Sequence, residues 1–142
     1  MMNYLARRNL VHNCPLTATW AAIGGKWKMT IIYWLAETPR HFAALRRKLN
    51  DVSDGISEKV LTQQLSELVA DGIITRRSTG AIPAPVVYSL SEYGNSVLPM
   101  LEAVKVWGAR HLERTRAASG NAQGEMSCMA VRSLEDGLII QR

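Results

Sequence analysis

Cysteine and long apolar runs are both scarce in this 142-residue chain. Its two cysteines, Cys14 and Cys128, lie far apart and form no CxxC pair, so we expect no disulfide framework and a reducing cytoplasm. The longest apolar run, Ile31 to Ala36, is much shorter than the ~20 residues that span a bilayer, which argues against a membrane partner. The N-terminal residues have no long apolar core after their arginines, which predicts no secretory signal.

Residue patterns typical of enzymes are also lacking. We find no nucleophile–base pair, paired acid, phosphate-binding loop or metal triad, and therefore expect a protein that is not an enzyme. His41 and His111 are scattered, and His12 with Cys14 supplies only two ligands, whereas structural zinc needs four. No metal and no cofactor are expected.

Positive charge is concentrated in the first two-thirds of the chain. The formal net charge is +5, and residues 1–90, with 11 basic and 6 acidic side chains, account for all of it. Residues 91–142 carry six of each sign. This asymmetry indicates a polyanionic partner for one part of the molecule.

Helical spacing of apolar residues fills most of residues 17–71. We predict a brief helix over residues 17–23, a second over 26–37 and a third over 40–49. The fourth is the clearest: Ser57 is a suitable N-cap and Gly72 a suitable left-handed residue after the helix. Its leucines line one side, and the opposite side carries Lys59, Thr62, Gln63 and Ser66.

After Gly72 the period changes to that of strands. Residues 73–77 and 86–90 are predicted to form a two-stranded hairpin that lies against the helices. Ser91 is predicted to cap a long helix to about Leu112, kinked at Pro99. This helix has two apolar sides, one of which includes Met100 and Trp107, and the second side indicates a partner chain.

Residues 113–142 form a separate tail in this interpretation. Residues 117–124 are small and polar like a linker, and residues 126–140 have no clear period. We therefore predict a single domain over residues 12–112 and a C-terminal tail of undefined structure.

Short helices followed by a polar-faced helix and a hairpin define a winged helix-turn-helix fold, mainly α with a small β wing. A helix fits the major groove of DNA, where polar side chains hydrogen-bond base edges and basic ones hold phosphates. The polar face of the fourth helix suits the first task. Candidates for the second are Arg40, Arg46, Arg47, Arg76 and Arg77. The same polar face is also compatible with an ordinary solvated surface.

Several stretches resemble the HxlR family of winged-helix transcriptional regulators, within the MarR-like group. They occur in the family's order over about residues 12–112. The matching stretches are Cys14-Pro15, 23–27, 40–42 with Leu45, 56–65, 71–76, Pro83, 88–91, Gly94 and Trp107-Gly108. The resemblance implies a cytoplasmic homodimer that binds an inverted-repeat operator in double-stranded DNA. A repressor is the favoured mode.

Individual residues match the family's functional positions. The resemblance places Ser57, Lys59, Thr62 and Gln63 in the recognition helix and makes Arg40 a phosphate contact. Lys26 matches the lysine of the Gly-Gly-Lys-Trp stretch; its stem is equally suited to covering apolar surface.

Three features depart from the family. Ser66 replaces a frequent arginine, Pro85 and Val87 replace the arginine and glutamate of the wing, and the tail from Glu113 has no counterpart. A wing without a cation should bind the minor groove less strongly. This leaves a second hypothesis open, a winged-helix module that binds proteins and has little sequence-specific affinity for DNA.

Cys14 and the tryptophans each allow two interpretations. Some similar proteins sense electrophiles or oxidants through the cysteine of the Cys-Pro pair, and an inert packed thiol is the alternative for Cys14. Cys128 is a weaker candidate, as a resolving thiol. The four tryptophans are expected in the core or a dimer interface, with a ligand pocket as the alternative; they are Trp20, Trp27, Trp34 and Trp107.

Overall fold

The computed structural model describes residues 14–78, 80 and 83–120. Several regions named above therefore lie outside the described residues: His12 with the N-terminal arginines, part of the hairpin tip, Cys128 and the tail beyond residue 120. The elements are α1 (Pro15–Ile23), α2 (Lys28–Glu37), β1 (Arg40–His41), α3 (Phe42–Val52), α4 (Glu58–Ala70), β2 (Ile74–Ser78), β3 (Val86–Leu90), α5 (Glu92–Asn95) and α6 (Leu98–Ala118).

Two glycines begin the four-residue connection between α1 and α2. A Cβ on Gly24 would lie 2.3 Å from the carbonyl oxygen and 2.5 Å from a ring carbon of Trp20, so only glycine leaves room for that ring. Gly25 has φ of +86°, a conformation that glycine adopts without strain. The second helix consequently begins at Lys28, two residues later than predicted, and α1 begins earlier, at Pro15.

The core of the first unit, which ends at Val97, comes from periodic leucines and isoleucines. Ile31, Ile32 and Leu35 of α2 are buried with Leu45 and Leu49 of α3. Contacts join α2 to both α3 and β3. Burial of such side chains typically stabilises a fold by about 1.5–3 kcal/mol each.

The sheet has three strands in the order β1-β3-β2, all antiparallel. The predicted hairpin is confirmed as β2 and β3, and a short β1 is added to it: Arg40 pairs with Tyr88 and His41 with Val87. The prediction of a helix from Arg40 was therefore wrong at its start. Pairing with β3 extends residues 40–41, and α3 begins at Phe42.

The chain after β3 also differs from the prediction. Ser91 caps the short α5, where its hydroxyl accepts from the Gly94 N–H at 2.9 Å, and not the long helix. Pro99 is the second residue of α6, where a missing N–H costs no helical hydrogen bond, so the predicted kink was wrong. Helix α6 continues past residue 112 to Ala118 and belongs to a second compact unit that starts at Leu98.

Candidate nucleic-acid interface

Helix α4 has one buried and one exposed side, as the sequence predicts. Leu61, Leu65 and Leu68 are each at most 1% exposed. The opposite side exposes the four predicted base-reading residues, Lys59, Thr62, Gln63 and Ser66. The leucines therefore hold the helix on the core while amine, hydroxyl and amide groups face outward.

Both ends of α4 are defined by local hydrogen bonds. The Ser57 hydroxyl accepts from the Val60 N–H at 3.2 Å, which confirms the predicted N-cap. Gly72, with φ of +74°, follows the helix as predicted. Just before the helix, the Asn50 side chain accepts from the Ile56 N–H at 2.9 Å and holds the turn from α3. Helices α3 and α4 with this turn form the helix-turn-helix.

Two of the predicted phosphate-binding arginines make contacts with neighbouring elements of the fold. Arg40 is only 14% exposed; its Nε donates to the Trp34 carbonyl at 3.2 Å and its guanidinium pairs with Glu37. Arg46 donates to the Ile56 carbonyl at 3.2 Å and pairs with Glu58 of α4 at 2.8 Å. Both side chains thus brace the helix-turn-helix, and their contact with phosphate stays a prediction.

Other predicted phosphate-binding cations are exposed on β2 and α3. Arg76 and Arg77 are exposed on β2, and because they are adjacent in a strand they point to opposite faces of the sheet. Arg47 is exposed on α3. We call β2, β3 and the loop between them the wing. Its described cations lie on β2, whereas Pro85 near its tip is exposed and uncharged.

Lys26 has one defined contact. Its Nζ lies 4.8 Å from the centre of the Trp27 ring, a cation–π distance, and the residue is exposed. This position fits the alternative in which its stem covers apolar surface, and its contact with DNA stays a prediction.

Sequence reasoning missed the pair Lys28 and Glu67. The Lys28 Nζ lies 2.5 Å from a Glu67 oxygen, and the pair joins α2 to α4. The sequence does contain a signal for this pair. Lys28, Ile32 and Leu35 are spaced i, i+4 and i+7, so the lysine lies on the same face of α2 as two apolar residues. A lysine at such a position must find a buried partner.

Cys14 is exposed immediately before α1. The backbone N–H of Thr17, then its hydroxyl and the N–H of Leu16, favour the thiolate and lower the pKa of Cys14, with burial opposing them only weakly. An exposed thiol with a lowered pKa is the type that reacts with electrophiles.

The predicted interface residues lie in both units. In the first unit, Trp20 is 64% exposed beside an exposed Leu16. In the second, Trp107 is 66% exposed and its ring stacks on that of His111, with the two ring centres 5.0 Å apart. Met100 is half-buried. Trp34, by contrast, belongs to the core. Exposed apolar surface of this kind often marks an association site.

A helix-turn-helix with an outward polar helix and an antiparallel wing defines the winged helix-turn-helix class of DNA-binding proteins. Residues 22–116 match the HxlR-like helix-turn-helix family, and the chain belongs to that family. It is a DNA-binding transcriptional regulator and not an enzyme.

Three similar proteins illustrate the relationship. The HTH-type transcriptional regulator YtcD of Bacillus subtilis is 41% identical over 103 residues, which cover 72% of this chain and 79% of YtcD. The HTH-type regulator BH0655 of Halalkalibacterium halodurans is 38% identical over 112 residues, which cover 78% of this chain and 96% of BH0655. The reduced form of the redox regulator HypR superposes with a TM-score of 0.66 at 34% identity, over 73% of this chain and 99% of that one.

Within the described ranges, no helix combines the length and apolarity needed to cross a membrane.

Proposed function

We propose that the chain binds an inverted-repeat operator as a homodimer in the cytoplasm and represses transcription there. The observation that carries the proposal is the exposed side of α4, with Thr62 and Gln63 opposite fully buried leucines. In a dimer, two such helices would enter successive major grooves about 34–36 Å apart. The exposed Arg76 and Arg77 would contact the phosphates beside them.

The homodimer is supported by the exposed apolar side chains. Leu16 and Trp20 on α1, and Val104, Trp107 and Leu112 on α6, are all exposed in the single chain. A second copy that covers these side chains would remove them from water, at about 25 cal/mol per Å² of apolar surface. We assign Trp20, Met100 and Trp107 to that interface.

Footprinting and gel-shift experiments on the promoter upstream of the chain's own gene test the proposal. We expect two protected half-sites related by two-fold symmetry, and less transcript from that promoter when the protein is bound. Gln63→Ala and Thr62→Ala should weaken operator binding by about 1–3 kcal/mol more than binding to random DNA. Equal losses on both DNAs would show that these side chains do not read bases, and no shift on any nearby promoter would favour the protein-binding alternative.

We further propose that an oxidant or electrophile tunes DNA binding through Cys14. The exposed thiol, its lowered pKa and the likeness to a redox regulator support this role. The test is operator affinity before and after oxidation of the Cys128→Ser protein, with Cys14→Ser added as the insensitive control. Unchanged affinity after confirmed oxidation of Cys14 would exclude the proposal.

A further inference from the structure

An ion pair within the fold reaches the polar face of α4. The Lys28 Nζ and a Glu67 oxygen lie 2.5 Å apart, and the two side chains are only 6% and 18% exposed. Lys28 is the charged residue found among the buried side chains of the described ranges. A buried charge is costly unless its partner is held in a defined position, so the Glu67 carboxylate is fixed on its inner side.

The outer side of the same carboxylate contacts Gln63. Its second oxygen accepts a hydrogen bond from the Gln63 amide nitrogen at 3.3 Å. The two residues are four apart on α4 and therefore lie on the same face of the helix. Lys28, Glu67 and Gln63 thus form a row that runs from the core to an exposed candidate base-reading side chain.

This row determines which way the Gln63 amide points. A carboxylate only accepts hydrogen bonds, whereas the amide has two N–H donors at one end and a carbonyl oxygen at the other. The donor end must therefore face Glu67. One N–H and the carbonyl oxygen remain for a partner outside the protein.

The remaining groups match one base. In the major groove adenine presents N7 as an acceptor and its N6 amino group as a donor, and a glutamine amide pairs with both. We infer that Lys28 and Glu67 are positioning residues that hold the Gln63 amide ready to read an adenine in each half-site. The inference rests on the proposed function, because it requires α4 to enter the major groove.

The test is selection of bound sequences from a random DNA pool by the full chain, followed by affinities on single-base variants. For the unsubstituted protein we expect one A·T pair in each half-site whose replacement lowers affinity by roughly 10-fold. Gln63→Ala should reduce this preference to below about 2-fold, since the reading group is lost. The base pair at which Gln63→Ala loses its preference is the one at which the remaining variants are compared.

Two variants then test the row itself. Glu67→Gln offers Gln63 both a donor and an acceptor, so the amide is free to flip, and the preference at that position should fall to about 3-fold or less. Because Glu67→Gln leaves Lys28 without a charged partner, the double variant Lys28→Met, Glu67→Leu removes both charges and keeps an apolar contact. We expect the same loss of preference from it, with a cooperative unfolding transition that shows an intact fold.

Glu58→Gln is the matched control. It removes one negative charge from the same helix, but Glu58 pairs with Arg46 and makes no contact with Gln63 among those described. The adenine preference should stay at its full value in this variant. A smaller preference there would show that charge on α4 alone sets specificity, and would overturn the inference.

The remaining outcomes separate the inference from the proposed function. If no sequence is enriched by the unsubstituted protein, both fail. If Gln63→Ala abolishes the preference while the folded double variant and Glu67→Gln retain it, operator reading stands and the positioning role of Lys28 and Glu67 is wrong.

Discussion

The Arg46 guanidinium joins the two helices of the helix-turn-helix by pairing with Glu58 at 2.8 Å and donating to the Ile56 carbonyl at 3.2 Å. One side chain of α3 therefore holds both the turn and the first residue of α4. This contact adds to the buried leucines of α4 in holding the helix-turn-helix together.

Arg46→Ala should lower the free energy of unfolding by about 1–2 kcal/mol, because one hydrogen bond to a main-chain carbonyl and one partly exposed ion pair are lost. Arg47→Ala is the neighbouring control; its side chain is exposed, and we expect a change within about 0.5 kcal/mol. Urea denaturation measures both. Equal effects would mean that the Arg46 contacts contribute nothing to stability.

Operator affinity should fall steeply with salt, because basic side chains displace counterions from DNA. Arg76→Gln and Arg77→Gln should each reduce the slope of log affinity against log salt by about one. Lys105→Gln on α6 should leave the slope unchanged, since Lys105 pairs with Glu102 on its own helix. A flat salt dependence of the unsubstituted protein would contradict phosphate binding by these arginines.

Gly94→Ala should destabilise the fold by about 1–3 kcal/mol through overpacking. An added Cβ would lie 2.1 Å from the Ile73 carbonyl oxygen, which also accepts from the Ser91 N–H and hydroxyl. Asn95→Ala, on the exposed neighbouring residue, is expected to be nearly neutral. Thermal unfolding of both variants distinguishes the clash from a general effect on α5.

The rate of Cys14 alkylation should reach its plateau at a lower pH than the alkylation rate of an ordinary thiol. A lowered pKa means that the thiolate, which is the reactive form, is already present below the usual titration range, and the rate rises with pH through that lower pKa. Thr17→Val removes the hydroxyl that favours the thiolate and should shift the profile to higher pH. Iodoacetamide rates in the Cys128→Ser protein measure the shift.

Thr19→Val is the control for that experiment. Its hydroxyl donates to the Pro15 carbonyl at 2.9 Å and does not contribute to the pKa of Cys14. The pH profile should not move in this variant. Identical shifts in the two threonine variants would attribute the effect to α1 as a whole.

Trp107→Ala should shift the equilibrium from dimer toward monomer, because burial of a large aromatic side chain is lost. Tyr93→Ala is a matched control, since both side chains are 66% exposed in the single chain and Tyr93 is not assigned to the interface. Analytical ultracentrifugation over a concentration series measures both. A monomer at all concentrations in the unsubstituted protein would exclude the dimer.

Local signals predicted much of the fold. The bounds of α4 follow from Ser57, the leucine repeat and Gly72, all within one stretch of chain, and the structure confirms them. The strands β2 and β3 were likewise predicted to within one residue. The start of α3 was wrong because Arg40 and His41 pair with residues of β3 far along the chain.

The sequence by itself determined α4 and its polar face, because helix caps and a repeat of about 3.6 residues act between near neighbours. Tertiary structure decided which charges stay on the surface. Arg40 is mostly buried by its contacts, Arg46 is tied to the start of α4 while staying partly exposed, and Lys28 is buried against Glu67. Arg76 and Arg77 remain exposed. The physical reason is that the energy of an ion pair depends on distance and burial, and folding alone brings residues such as Lys28 and Glu67 together.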